Sequence, residues 1–208
     1  MESDCIKQVM TCHRCQVYQD KRNAPPQPLH SLAAPWPFLA WGMDVIELVI
    51  PKASNGHENI LVAIDYFTKW VEATLYKSVT QAMVARFLKQ NIICHYGVPG
   101  EHITNNGANL NGKMIQQLCQ QFKIEHRNSV PYRPQVNGAV EAINNNIKKT
   151  MVKMTDTYKD WHKYLLFALC AYCTFVRTSA GVTPYSLVFG MEAILLAEVK
   201  ISSFRILS

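Results

Sequence analysis

The sequence predicts an α/β fold, a mixed five-stranded sheet flanked by helices, and three observations lead there. Two β-rich apolar runs, residues 41–50 and 58–67, are joined by a segment holding the turn signal Asn55-Gly56. Downstream, short strand-like runs alternate with stretches whose apolar residues recur at helical spacing. The composition, 49% hydrophobic and 17% charged over 208 residues, is that of a folded domain with one good core. A strand meander continued by alternating helix and strand is the order of a mixed sheet covered by helices.

"WGMDVIELVI" (41–50) and "ENILVAIDYF" (58–67) form the expected hairpin, and "WVEATLYK" (70–77) the third strand. Residues 80–95 place Met83, Val84, Phe87, Leu88 and Ile92 on one helical face, and Gly97 and Pro99 stop the helix. The short strand "EHIT" (101–104) opens into a turn, "ITNNGANLNG" (103–112), which carries four asparagines and no acid. A helix is expected over 111–122, then a brief strand, "KIEHR" (123–127). The polar loop "NSVPYRPQVNG" leads into a longer helix, 138–158, with Asn137 as its N-cap. A last helix is expected over 161–175. These elements define a domain over 39–195. Before it stand a polar segment, 1–20, and a linker, 21–38, with five prolines; a less regular tail, 196–208, follows.

The formal charge of +6, from 21 basic and 15 acidic residues, modestly favours a polyanionic partner. No segment approaches the roughly 18 consecutive apolar residues of a membrane span, and "MESDCIKQVM" has no signal-peptide core. An intracellular, soluble protein with no membrane partner is expected. Seven irregularly spaced cysteines argue against a disulfide framework. Cys170 and Cys173, on an apolar helix, read as buried thiols. Cys12 and Cys15 have metal-ligand spacing but supply half of a tetrahedral zinc site.

In the helix from 138, Val140, Ile143, Ile147, Met151 and Met154 form one apolar stripe at about 100° per residue. Glu141, Asn145 and Lys148 share a different face, with Lys149 at its margin. Carboxylate, amide and cation in that order suit a metal with a phosphate backbone running past it. Such chemistry needs acids from other strands, and Asp44, midway along the first strand, is the obvious one.

Together "WGMDVI", "ITNNGANL", "PYRPQVNGAVEAINNNIKK" and "TPYSLVFG" (183–190) resemble the integrase of gypsy-type long-terminal-repeat retrotransposons, in the retroviral integrase superfamily. "DCIKQVMTCHRCQ" looks like the end of that family's zinc-binding N-terminal domain, so the likeness runs from about residue 3 to about 206. The resemblance implies a ribonuclease-H-like fold, DNA integration by polynucleotidyl transfer, and an Asp, Asp, Glu triad with 35 residues between the last two. It implies Mg²⁺ or Mn²⁺ as cofactor, retroelement ends and target DNA as partners, homo-oligomers and a nuclear location. Asp44 matches the first triad position and Glu141 the third, and residues 106–140 fill the interval back to Asn105. There the family pattern reads Thr-Asp-Asn-Gly, and this chain reads Thr104-Asn105-Asn106-Gly107.

Asn105 therefore stands where a metal-holding carboxylate is implied. Mg²⁺ favours carboxylate oxygens, and the amide removes one charge and one coordinating oxygen. At an effective dielectric near 20 an ionic contact at about 4 Å is worth roughly 4 kcal/mol, or about three orders of magnitude in rate. This copy is expected to be inactive or nearly so. Asp65, at the end of the second strand, could approach the site, but the resemblance gives that position no place in the metal-binding triad and no rescue by it is expected; Glu47 points to the opposite face from Asp44. The implied DNA contacts are Tyr132, Gln135 and Asn137 on the loop and Asn145, Lys148 and Lys149 on the helix. With the family's two zinc-binding histidines not in the sequence, no bound zinc is expected at Cys12 and Cys15, and the chain reads as a fragment of a decayed element. The alternative function is a non-enzymatic nucleic-acid-binding or assembly module derived from an integrase.

Overall fold

The computed structural model describes residues 34–46, 52–105, 107–128, 138–154, 158–177 and 181–194. Five strands form one sheet: β1 (Ala40–Ile46), β2 (Asn59–Asp65), β3 (Val71–Tyr76), β4 (Glu101–Thr104) and β5 (Glu125–Asn128), in the order β3-β2-β1-β4-β5. β1, β2 and β3 pair antiparallel, whereas β4 and β5 add to β1 in parallel. The expected mixed five-stranded sheet is the one found. The turn between β1 and β2 closes through Gly56, whose φ of +83° suits a residue without Cβ. Beside it Asn55 accepts a hydrogen bond from the His57 amide.

Helix α1 (Gln81–Phe87) begins at Thr80, whose hydroxyl accepts from the Met83 amide, and runs through a π-helical segment (Leu88–Ile93) into a last turn (Cys94–Tyr96). Helix α2 (Lys113–Phe122) ends where Lys123 turns left-handed. Helix α3 spans Gly138–Met154; residues 155–157 of the expected helix lie outside the described residues. The expected helix over 161–175 is a 3₁₀ segment (Tyr158–Tyr164) followed by α4 (Leu165–Thr174). In "TPYSLVFG", Thr183 caps α5 (Pro184–Phe189) and Gly190 closes it in the left-handed conformation.

The sheet is packed on both faces. Trp41 and Met43 of β1 with Leu61 and Ala63 of β2 meet Val84, Leu88, Ile115 and Leu118 of the α1–α2 layer. The alternate residues, Ile46, Ile60, Val62 and Ile64, meet Val140, Ile143, Ile147 and Met151 of α3 with Leu165 and Ala168 of α4. That α3 stripe is the one the sequence marks. Burying side chains of this size contributes roughly 1.5–3 kcal/mol each, so α3 is held by its apolar face while its polar face stays open. Among the described residues no helix is long and apolar enough to cross a membrane.

Cys173 is buried as expected, but Cys170 is exposed, which corrects its reading as a buried thiol. The physical reason is that α4 is apolar nearly all round: Leu166 and Phe167 face outward with Cys170, at 75% and 64% exposure. The segment 1–20 with Cys12 and Cys15, most of the linker and the tail 196–208 lie outside the described residues, as does Glu47.

Candidate active site

Strand alternation puts Asp44 on the α3 face of the sheet, two residues beyond Gly42. A Cβ at Gly42 would stand 2.7 Å from both the Tyr66 hydroxyl and a Val140 methyl. Glycine there lets the start of α3 lie close over β1, bringing the helix's polar edge to Asp44.

Three elements converge on this one buried carboxylate. Its Oδ1 accepts from the Asn105 side-chain amide at 2.6 Å and from the Val45 backbone at 2.8 Å. Its Oδ2 accepts from the Asn144 amide at 2.9 Å. Asn105 leaves the end of β4, which runs parallel beside β1 with Met43 opposite Thr104. Asp44 and Asn105, two of the expected triad positions, are therefore in contact. Glu141 lies one turn ahead of Asn144 on α3, and its side chain is outside the described residues.

The orientation of the Asn105 amide is fixed from both ends. Its Oδ1 accepts from the Gly107 backbone at 3.0 Å, so its nitrogen is the atom facing Asp44. Its backbone carbonyl accepts from the Asn111 amide at 2.5 Å, and Asn111 Oδ1 accepts from the Thr104 hydroxyl at 2.7 Å. That hydroxyl also lies 3.0 Å from His126 Nε2 on β5. Having one proton, which it gives to Asn111, Thr104 accepts here from the Nε2–H tautomer. His126 stacks on His102 with ring centroids 5.3 Å apart. His102 is fully buried, its ring nitrogens have no partner among the described residues, and burial with the neighbouring His126 pushes its pKa down to about 3.

Sequence reasoning misses Asn144, Asn111, Thr104 and His126. Asn144 has a signal in the sequence, a polar residue beside Ile143 and Ile147 on the apolar stripe, and it is the buried polar residue of α3 among the described residues. Thr104 and Asn111 meet through the fold of the loop after β4, and His126 reaches Thr104 only through the β4–β5 pairing, neither of which sequence spacing encodes. Asn145, Lys148 and Lys149 are exposed on the same helix, as a DNA-contacting edge requires. Tyr132, Gln135 and Asn137 lie outside the described residues.

Asp65 neither substitutes for the missing acid, a role not expected of it, nor approaches the site, which its place at the end of β2 left open. Asp44 pairs with Val62 across the β1–β2 ladder, so Asp65, three residues on, faces the opposite side of the sheet. Its carboxylate is fully buried and accepts from the Phe38 amide at 3.0 Å, the Thr68 amide at 2.8 Å and the Thr68 hydroxyl at 2.7 Å. A cavity of about 430 Å³ between α1 and α2, lined by Arg86, Lys89, Met114 and Gln121, borders the other helix layer and is not part of this site.

The described donors do not fit a pair of divalent ions. Both Asp44 oxygens already accept amide hydrogens, and the oxygen of Asn105 is turned away to Gly107. Among the described residues no three His, Cys, Asp or Glu side chains group as a metal site would require.

Residues 35–134 match the family model described as integrase core domain. The Gag-Pol polyprotein of avian reticuloendotheliosis virus is 34% identical over 154 residues, covering 73% of this chain and 13% of the polyprotein. The transposon Tf2-3 polyprotein of Schizosaccharomyces pombe is 26% identical over 185 residues, covering 86% and 14% respectively. The chain thus spans about one-seventh of the length of these relatives. Among solved structures, the catalytic core domain of BIV integrase aligns with a TM-score of 0.57 and 25% identity, over 72% of this chain and 93% of that one. The HTLV-2 integrase catalytic core domain in complex with magnesium, in trimeric form, aligns at 0.58 and 20% over 74% and 98%. The simian T-cell lymphotropic virus intasome bound to PP2A regulatory subunit B56 gamma aligns at 0.67 and 23%, over 94% and 69%. The last two likenesses speak for the fold alone.

Proposed function

The chain belongs to the integrase core domain family through residues 35–134, and from that premise we propose a DNA-binding integrase core whose own strand-transfer chemistry is impaired. The observation that carries this reading is the contact of Asn105 with Asp44 at 2.6 Å. It puts a neutral amide where the family's second triad acid would stand. Asp44, Asn105 and Glu141 are the proposed site. The loop residues Tyr132, Gln135 and Asn137 are proposed DNA contacts together with Asn145, Lys148 and Lys149, which lie on α3. The exposed apolar residues Leu166 and Phe167 of α4 support association of like chains.

Strand transfer on a short DNA duplex with Mg²⁺ or Mn²⁺, comparing the chain with Asn105→Asp, tests the reading. The variant is expected to be faster by about three orders of magnitude, the equivalent of roughly 4 kcal/mol in the barrier. Equal rates would overturn the role given to Asn105.

The internally satisfied site favours a second reading, a nucleic-acid-binding or assembly module with no catalysis. It predicts salt-sensitive DNA binding and no strand transfer by either protein.

A further inference from the structure

Two carboxylates set side by side repel, and a cation between them relieves the repulsion. In this chain the second group is an amide, and its nitrogen, not its oxygen, meets Asp44. We propose that the Asn105 amide takes the place of the ion, so that an Asn105–Asp44–Asn144 clamp ties β1, the exit of β4 and α3 together without any divalent cation. The inference rests on the reading that Asn105 stands at a family metal position.

The clamp is built to favour this state over a metal-holding one. Asn105 donates to Asp44 while accepting from Gly107, so one side chain satisfies both groups. Offering its oxygen to a cation beside Asp44 requires turning the amide over. That turn breaks both bonds and leaves the NH₂ group facing the Gly107 N–H. The backbone below cannot swing out to compensate, because Asn111 holds the Asn105 carbonyl and is itself held by Thr104. On the opposite edge Asn144, buried on α3, occupies Oδ2 of Asp44. A cation approaching Asp44 therefore displaces charge-assisted hydrogen bonds that are already made. The clamp also joins segments 61 and 100 residues apart in the chain. Its loss should accordingly register in global stability.

Thermal unfolding of the whole chain in EDTA and in millimolar Mg²⁺ or Mn²⁺ tests this, with Asn105→Asp and Asn105→Ala alongside. The unmodified chain is expected to melt at one temperature, within about 1 °C, in all three conditions. Asn105→Asp should melt about 4–8 °C lower in EDTA, the loss of a charge-assisted bond in a domain of this size, and recover when cation is added. Asn105→Ala should melt lower and ignore the cation. A cation-induced rise in the unmodified chain as large as that of Asn105→Asp would overturn the clamp, as would undiminished stability of Asn105→Asp in EDTA. If a variant fails to fold, the side-chain amide resonances of Asn105 and Asn144 in the unmodified chain decide. Persistence under Mn²⁺ supports the clamp, and paramagnetic broadening overturns it. These readouts are independent of strand transfer, so failure of the clamp and failure of the functional reading are separately visible.

Discussion

Asp44 and Asp65 are buried acids on neighbouring antiparallel strands, but they are satisfied in opposite ways. Asp65 is held mainly by its own turn, where both donors of Thr68, three residues on, meet one oxygen, and by one backbone amide, that of Phe38, at the other. Burial holds its carboxyl above the usual range, against the hydrogen bonds that lower it. Asp44 draws on side-chain amides from two distant elements, at the open ends of parallel strands. Parallel strand ends are where α/β sheets place their ligand sites. The difference shows that a buried carboxylate marks a candidate site when its partners are long-range side chains. One satisfied by nearby backbone is a piece of architecture.

Replacing each acid by its amide should separate the two most strongly. Asp65→Asn sets an NH₂ group against the backbone N–H of Phe38 or of Thr68, neither of which can accept, and is expected to cost about 2–4 kcal/mol in urea unfolding. Asp44→Asn keeps its hydrogen bonds but makes them neutral, and should cost about 1–2 kcal/mol. Asn144 Oδ1 has no partner among the described residues, so that amide can turn over and accept from the new one. Equal costs would break the distinction.

A change of pH sharpens it next, because the buried groups respond with opposite signs. His102, pushed down to about 3, stays neutral in the folded chain while the unfolded chain protonates near 6.5. Stability from this group is full above pH 6.5 and is lost as pH falls towards 3, at about 1.4 kcal/mol per pH unit. His126, lowered by burial, adds in the same direction. Asp65, raised above 3.8, opposes folding once ionised, and that cost eases as pH falls. Urea midpoints between pH 4 and 7 should therefore fall in acid, and His102→Leu should flatten most of that fall. An acid limb unchanged in His102→Leu would show that some other group carries it.

The sequence made several elements legible because their signals are strong: the β1–β2 hairpin through Asn55-Gly56 and the apolar stripe of α3; the six-residue α5 is too short to show a period and is legible only as part of a motif. It also set Asp44 and Asn105 at matching motif positions, since motif order and spacing are linear properties, and the structure brings those two into contact. It could not place Asp65, because the face a strand residue occupies depends on where β1 and β2 pair. Nor could it show the chain from Asn105 through Asn111 to Thr104, which depends on how the loop after β4 folds back, or the last link to His126, which exists only once β5 lies beside β4. The π-helical segment within α1 and the 3₁₀ start before α4 are tertiary adjustments of stretches whose apolar pattern reads as plain helix.

The smallest effect on the fold, and the last way to test the contrast between the two acids, lies on the outer edge of α3. Lys148 and Lys149 are exposed on the helix that brings Asn144 to Asp44. If that side of the sheet is the DNA face, replacing both by Glu removes two phosphate contacts without touching a buried group. Stability should change by less than about 0.5 kcal/mol. The slope of log affinity against log salt on duplex DNA should become shallower by about 2, close to 0.9 per lost contact. The matched control is Arg86→Glu with Lys89→Glu, on the α1 layer towards which Asp65 faces. A slope that follows the control pair and ignores Lys148 and Lys149 would put the DNA on the other face, and the long-range partners of Asp44 would then mark no DNA site.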